Sequence, residues 1–364
     1  MKPESKSVYI HIPFCKTICS YCDFCKVFYN GKWAYEYLDC LGIEIEDTYN
    51  NEEIETIYIG GGTPSTLPIK YLEKLFEILK IFKIKQEAEF TFECNLNDLT
   101  KELLEVLKKN KVNRLSIGIQ SFHEEKLKHM GRSHTFEEAK EKIALCRSIG
   151  FSNINIDFIY GFTFDDKKVL KEELKQILSL KPEHISTYSL QLEEGTLLYL
   201  NKTERLNEDE DAELYRYLSK YLQQKGYEHY EISNFAKKGY ASIHNLRYWQ
   251  NKEYYGFGVS ASGYLDKVRY TNTYSLTKYL KNDYTGEKEL LTKQDIMDNH
   301  LMLGFRLTKG FNVKEFETLY NVELKETYPI KPLLKNGDLI LKKGNIFINP
   351  DKLYIMNEIL LKMI

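Results

Sequence analysis

A chain of 364 residues with 43% hydrophobic side chains has room for one large domain and a smaller one, each with a buried core. Its formal net charge of −2 argues against a general nucleic-acid binder. Seven cysteines is an odd number, no signal-peptide pattern opens the chain, and no apolar run reaches the roughly 18 residues of a membrane span. A cytoplasmic protein is expected, with cysteines serving as ligands or core residues.

In chain order, Ser7–His11 alternates and reads as a strand. Pro13 forces a turn, so Cys15, Cys19 and Cys22 fall on a loop at that strand's C-terminal end. Trp33–Thr48 has helical spacing. Glu55–Ile59 is a β-branched run that ends in Gly60-Gly61-Gly62-Thr63-Pro64. Pro68–Phe82 reads as a helix, Glu89–Glu93 as a strand, and Thr100 caps a helix to Lys109. Arg114–Ile119, Ile154–Ile159 and His184–Leu190 are further strands. The helices between and after them are Phe136–Ile149, Lys168–Leu180 and Asp209–Lys225.

Six strand-then-helix units predict a parallel sheet with right-handed crossovers. An open doubly wound sheet satisfies the same pattern. The polar residues favour an α/β partial (β/α)6 barrel over residues 1–226, because they gather after the strands, where barrels place their ligand groups. Glu93, Asn95, Gln120, Asp157, Gln191 and Glu193 all sit there. At Tyr227 the alternation stops. Residues 227–288 are expected to connect, and they carry His244-Asn245-Leu246-Arg247-Tyr248-Trp249 and the glycine-rich Gly256–Tyr264. Residues 289–364 hold helices and a hairpin turning at Lys343-Gly344-Asn345, the outline of a winged-helix-like domain.

The C-x3-C-x2-C array of Cys15, Cys19 and Cys22 carries the chemistry. Thiolates are soft ligands that select zinc, copper(I) or iron–sulfur clusters. On a four-iron cubane, three cysteines leave one iron open to a small molecule. A structural zinc site that adds Cys25 is the alternative. Gly60–Thr63 exposes main-chain N–H and C=O groups to a small polar ligand; no Gly-Lys-Ser/Thr follows, so it is not a phosphate loop. Cys40, Cys94 and Cys146 read as core.

This loop, with His11-Ile12-Pro13-Phe14-Cys15 and Tyr21-Cys22, resembles the cluster loop of the radical S-adenosylmethionine (radical SAM) superfamily. Within it, the wording is similar to the oxygen-independent coproporphyrinogen III oxidase family. The resemblance implies a [4Fe–4S] cluster on Cys15, Cys19 and Cys22. It also implies S-adenosylmethionine at Gly61, Gly62 and Thr63, with Tyr9, Tyr21, Glu93, Gln120, Arg132 and Asp157 as further cofactor-side residues. In that superfamily, cluster reduction splits the cofactor into methionine and a 5′-deoxyadenosyl radical.

Three features point to the haem-chaperone branch of the family. The decarboxylating enzymes carry a further cysteine two residues after the third; here that position is Phe24, and Cys25 lies one later. They also have a long N-terminal extension, whereas Cys15 stands near this chain's start. The H-N-x-x-Y-W pattern at His244–Trp249 marks the chaperone branch. Two stretches depart from its wording: Gly258–Tyr264 lacks a proline and a histidine, and Leu96 stands where a proline is usual. The resemblance implies haem on His244 and a haem-accepting protein as partner, soluble or membrane-associated, with no nucleic acid. The rival is an enzyme acting on coproporphyrinogen III. A winged-helix regulator with a structural metal is disfavoured by the charge.

Overall fold

Seven strands run parallel in the middle of a twelve-stranded sheet in the computed structural model, which describes residues 5–363. Six of them are the expected strands: β1 (Lys6–Ile12), β2 (Glu53–Gly61), β3 (Lys83–Asn95), β4 (Arg114–Gln120), β5 (Ile154–Tyr160) and β6 (His184–Ser189). They pair in sequence order, and the sheet stays open, a partial barrel. One face is apolar and meets the helices: Ile10, Ile57, Phe92, Ile117, Ile156 and Ile185 are fully buried there. The period of two sends their neighbours to the other face. That face is polar, and its side chains bond to one another: Tyr58 to Glu93 at 2.7 Å, Asn155 to Ser116 at 2.8 Å, His184 to Asn155 at 2.6 Å.

The connecting helices begin where caps allow. Thr100 accepts from the Leu103 N–H, and Thr135 forms a reciprocal capping box with Glu138. The helix over Pro68–Phe82 is interrupted: it spans Ile69–Ile78 and tightens into a 3-10 turn at Leu79–Ile81. A short helix at Glu124–Met130 was not expected from the pattern.

Residues 227–288 do not merely connect. β7 (Glu228–Glu231) and β8 (Asn234–Ala236) extend the sheet antiparallel beyond β6. β9 (Tyr254–Phe257) lies parallel to β1 on its other side, and β10 (Ser262–Leu265), β11 (Val268–Thr271) and β12 (Glu287–Leu290) follow it outward. The sheet therefore runs on past Gly226, because both edges of the six-strand unit have unpaired ladder groups to satisfy. Between these strands, helix α1 (Ile243–Trp249) packs on the polar face. The Glu89 carboxylate accepts from the N–H groups of Ile243 and His244, at 3.0 and 2.9 Å, and so holds the positive end of that helix.

The C-terminal part has a three-stranded sheet of Phe311–Asn312, Leu339–Lys342 and Asn345–Ile348 with helices that include Val313–Tyr320 and Ile330–Lys335. The hairpin falls where the sequence puts it, and the chain closes with a 3-10 turn, Pro350–Ile355, and a short helix, Met356–Leu360. Among the described residues no helix is long and apolar enough to cross a membrane.

Candidate functional site

The parallel strands end around a cavity of about 410 Å³. The cysteine loop forms one wall. It leaves β1 at Pro13 and returns so that the Val27 N–H reaches the Pro13 carbonyl and the Tyr29 N–H the Cys15 carbonyl, both at 2.8 Å. The glycine run at the end of β2 is stitched to the loop's start: the Gly62 N–H donates to the Ile12 carbonyl and the Thr63 N–H to the Phe14 carbonyl, both at 2.9 Å. The Thr63 hydroxyl donates to Cys15 Sγ at 3.3 Å.

These close approaches explain the glycines. Gly61 has φ +112°, and a Cβ there would come within 2.6 Å of the His11 ring. A Cβ on Gly62 would meet the Pro13 carbonyl carbon at 2.8 Å and Cys15 Sγ at 3.0 Å. The glycine run is a strip of bare main chain directly beside a thiol.

Cys15, Cys19 and Cys22 all line the cavity, with Tyr21, Gly61, Gly62, Thr63, Glu93, Gln120, Arg132 and Asp157. Eleven of the thirteen residues singled out in the sequence thus converge on one space. Arg132 ties the cysteine loop to the sheet: its guanidinium donates to the Gly118 carbonyl at 2.8 Å and to the Tyr21 hydroxyl at 3.2 Å. The Arg132 Nε is buried without a partner. Glu93 accepts from the Tyr58 hydroxyl at 2.7 Å and the Gly61 N–H at 3.1 Å. Burial raises its pKa to about 7, and the nearby Asp157 carboxylate adds to that. Asp157 is also raised, by burial, against hydrogen bonds from Asn155 and Ser186 that hold it down. Burial pushes the Cys15 thiol up to about 11, opposed by the Thr63 hydrogen bond and raised further by Cys22 and Cys19.

Tyr9 and His244 do not line the cavity. Tyr9 acts one layer below: its hydroxyl bonds His11 Nδ1 at 3.0 Å, and His11 Nε2 bonds the Cys25 carbonyl at 2.8 Å. The Cys25 carbonyl requires a donor, so Nε2 carries the proton and Nδ1 accepts from Tyr9. His11 therefore pins the far end of the cysteine loop, a role nothing in its spacing announced. The Cys25 side chain turns away from the cavity, with Sγ 3.8 Å from the Tyr274 carbonyl. His244 is fully enclosed: Nδ1 is 2.7 Å from the Thr56 hydroxyl and Nε2 is 2.7 Å from the Tyr248 hydroxyl. Burial lowers its pKa to about 3. Both nitrogens are thus engaged, and His244 could take iron only by giving up one of these hydrogen bonds. Tyr58, two residues before Gly60 on β2, is a cavity residue the sequence reading missed; strand alternation with Gly60 was the available signal.

Comparison with known proteins agrees with this geometry. Residues 9–177 match the family model of the radical SAM superfamily, and residues 291–351 match that of the HemN C-terminal domain. The heme chaperone HemW of Lactococcus lactis is 39% identical over 90% of this chain and 88% of its own length. That of Bacillus subtilis is 36% identical over 97% and 98%. The chain belongs to the heme chaperone HemW family. The solved structure of coproporphyrinogen III oxidase (HemN) from Escherichia coli covers 99% of this chain and 90% of its own, with a TM-score of 0.87 and 21% identity, so the two share a fold.

Membership of this radical SAM family implies a [4Fe–4S] cluster and S-adenosylmethionine, and the cavity fits both. It offers the thiols of Cys15, Cys19 and Cys22, a cradle that a Cβ would fill, the carboxyls of Glu93 and Asp157, and a buried guanidinium nitrogen without a partner. Among the described residues no three His, Cys, Asp or Glu side chains close on a single-ion position. A cubane spreads its irons, so its ligands need not meet at one point.

Proposed function

We propose that the chain is a haem chaperone of radical SAM type, which binds haem and passes it to a haem-requiring acceptor. The observation that carries this reading is the pairing, on one sheet, of the cavity that gathers Cys15, Cys19 and Cys22 with the His244–Trp249 helix, in a chain whose relatives over nine tenths of its length are heme chaperones. Cys15, Cys19 and Cys22 would hold three irons of the cluster. Gly61–Thr63 would receive the amino end of S-adenosylmethionine, with Glu93 and Asp157 balancing its positive charge. Arg132 fixes Tyr21 and hence the loop. When bound, the pair supplies reductive carbon–sulfur cleavage.

The rival, decarboxylation of coproporphyrinogen III, is less well supported. Phe24 stands where those enzymes have a further cysteine, and it is 63% exposed at the cavity's edge. Two assays on the reconstituted chain decide between the readings. Haem titration should shift and sharpen the Soret band of free haem, and anaerobic incubation with coproporphyrinogen III should give no protoporphyrinogen. Product with an unshifted Soret band would overturn the chaperone reading.

A further inference from the structure

A second cavity, of about 800 Å³, lies where the sheet meets the C-terminal part. Its volume is within the roughly 300–1,000 Å³ of small-molecule and cofactor sites. Trp249, the last residue of the motif helix α1, lines it together with Tyr264, His300, Phe311, Leu319 and Tyr320. The motif therefore reaches two places: His244 is locked against β2, and Trp249 opens on this cavity. From these walls we infer that the cavity is the haem site and that His300 is its axial ligand. This rests on the haem-binding reading above.

The chemistry of the walls carries the inference. Haem is a flat apolar ring with an electrophilic metal at its centre and carboxylates at one edge. His300 Nδ1 is 3.0 Å from the Tyr320 hydroxyl, which leaves Nε2 as the nitrogen for a metal. Metal-binding histidines are commonly held this way, one nitrogen anchored to an oxygen and the other on the metal. The His300 ring is boxed edge-on by Phe311, Phe316 and Tyr320, with centroids 5.1–5.6 Å apart, so its orientation is set. Burial lowers its pKa to about 4, with Lys252 contributing, and the ring keeps its lone pair at neutral pH.

A further group suits the porphyrin. Trp249 offers an aromatic face, with the Arg306 guanidinium stacked 5.4 Å from its ring centre. Its Nε1 is buried without a hydrogen-bond partner. Lys252 lines the same cavity, beside the Glu253 and Glu315 carboxylates.

The test is titration of the full chain with ferric haem, followed at the Soret band, for the wild type and for His300→Ala, His244→Ala and Leu319→Glu. Leu319 is 66% exposed at the cavity wall, so a glutamate there leaves the core untouched while repelling propionates. Near-UV circular dichroism checks folding. We expect His300→Ala to bind haem at least tenfold more weakly with a shifted Soret band, and added imidazole to restore the wild-type band. Leu319→Glu should also weaken binding. An unchanged affinity and band in folded His300→Ala would overturn the assignment, as would haem lost only in His244→Ala. If His300→Ala does not fold, unchanged binding by Leu319→Glu overturns it instead. A wild type that leaves the Soret band of free haem unshifted would sink the haem-binding reading itself, a different result from any of these.

Discussion

Glu93 is a carboxyl whose titration should be readable in stability. It sits at the cavity floor, and burial raises its pKa from 4.5 to about 7. The folded state therefore holds this proton more tightly than the unfolded chain does. The resulting stability is fully present below pH 4.5 and is lost as pH rises through about 7. Each pKa unit is worth about 1.4 kcal/mol, so at pH 8 the ionised group costs the folded state about 3 kcal/mol. Gln, like the protonated acid, keeps one acceptor oxygen for the Gly61 N–H and offers a donor to the Tyr58 hydroxyl oxygen, but it cannot ionise. The stability of Glu93→Gln relative to wild type should climb from near zero at pH 4.5 to about 3 kcal/mol at pH 8. Glu44 and Glu231 are likewise raised to about 7 by burial and will steepen both curves equally, so the difference is the readout. Urea unfolding of the cluster-free, reduced chain at several pH values measures it. A difference that stays flat across that range would refute the argument.

Cys25→Ser should leave anaerobic reconstitution at about four irons per chain, the content of one cubane, whereas Cys22→Ser should abolish it; loss of iron in Cys25→Ser would replace the three-thiol model with a four-thiol one. Gly61→Ala should fail to hold S-adenosylmethionine, because the new Cβ must displace the His11 ring and with it the Cys25 carbonyl; the cofactor-induced change in the cluster's spectrum reports this. Lys126 is buried between Asp165 and Glu173, 2.5 Å from each. Lys126→Met should cost about 3–5 kcal/mol in urea unfolding, since it strands two buried carboxylates.

The strand–helix alternation was legible because each unit shows its own period, two for strands and 3.6 for helices, and because Thr100, Gly150 and Gly226 punctuate it. The cavity was legible for a related reason. A parallel sheet brings the residues after its strands to one end, so Glu93, Gln120 and Asp157 had to meet the cysteines. β9 was not legible. It is four residues long, no helix follows it directly, and its parallel partner β1 lies 247 residues earlier, Ser7 facing Tyr254. The brace formed by Tyr9, His11 and the Cys25 carbonyl was hidden as well, since hydrogen bonds between a strand and the end of its own loop leave no period.

The His244–Trp249 motif shows where reading residue types runs out. Histidine, tyrosine and tryptophan in one short helix suggest a ligand with an aromatic cover. In the fold, His244 and Tyr248 stand one helical turn apart and bond each other, while the Thr56 hydroxyl takes the remaining ring nitrogen. The Glu89 carboxylate fixes the same helix at its start. Every group that makes His244 look like a ligand is spent on holding α1 against the polar face of the sheet. The helix then delivers Trp249 to a cavity whose other walls come from the C-terminal part. The motif thus acts on the cavity through the position it enforces on Trp249, while His244 and Tyr248 brace the helix.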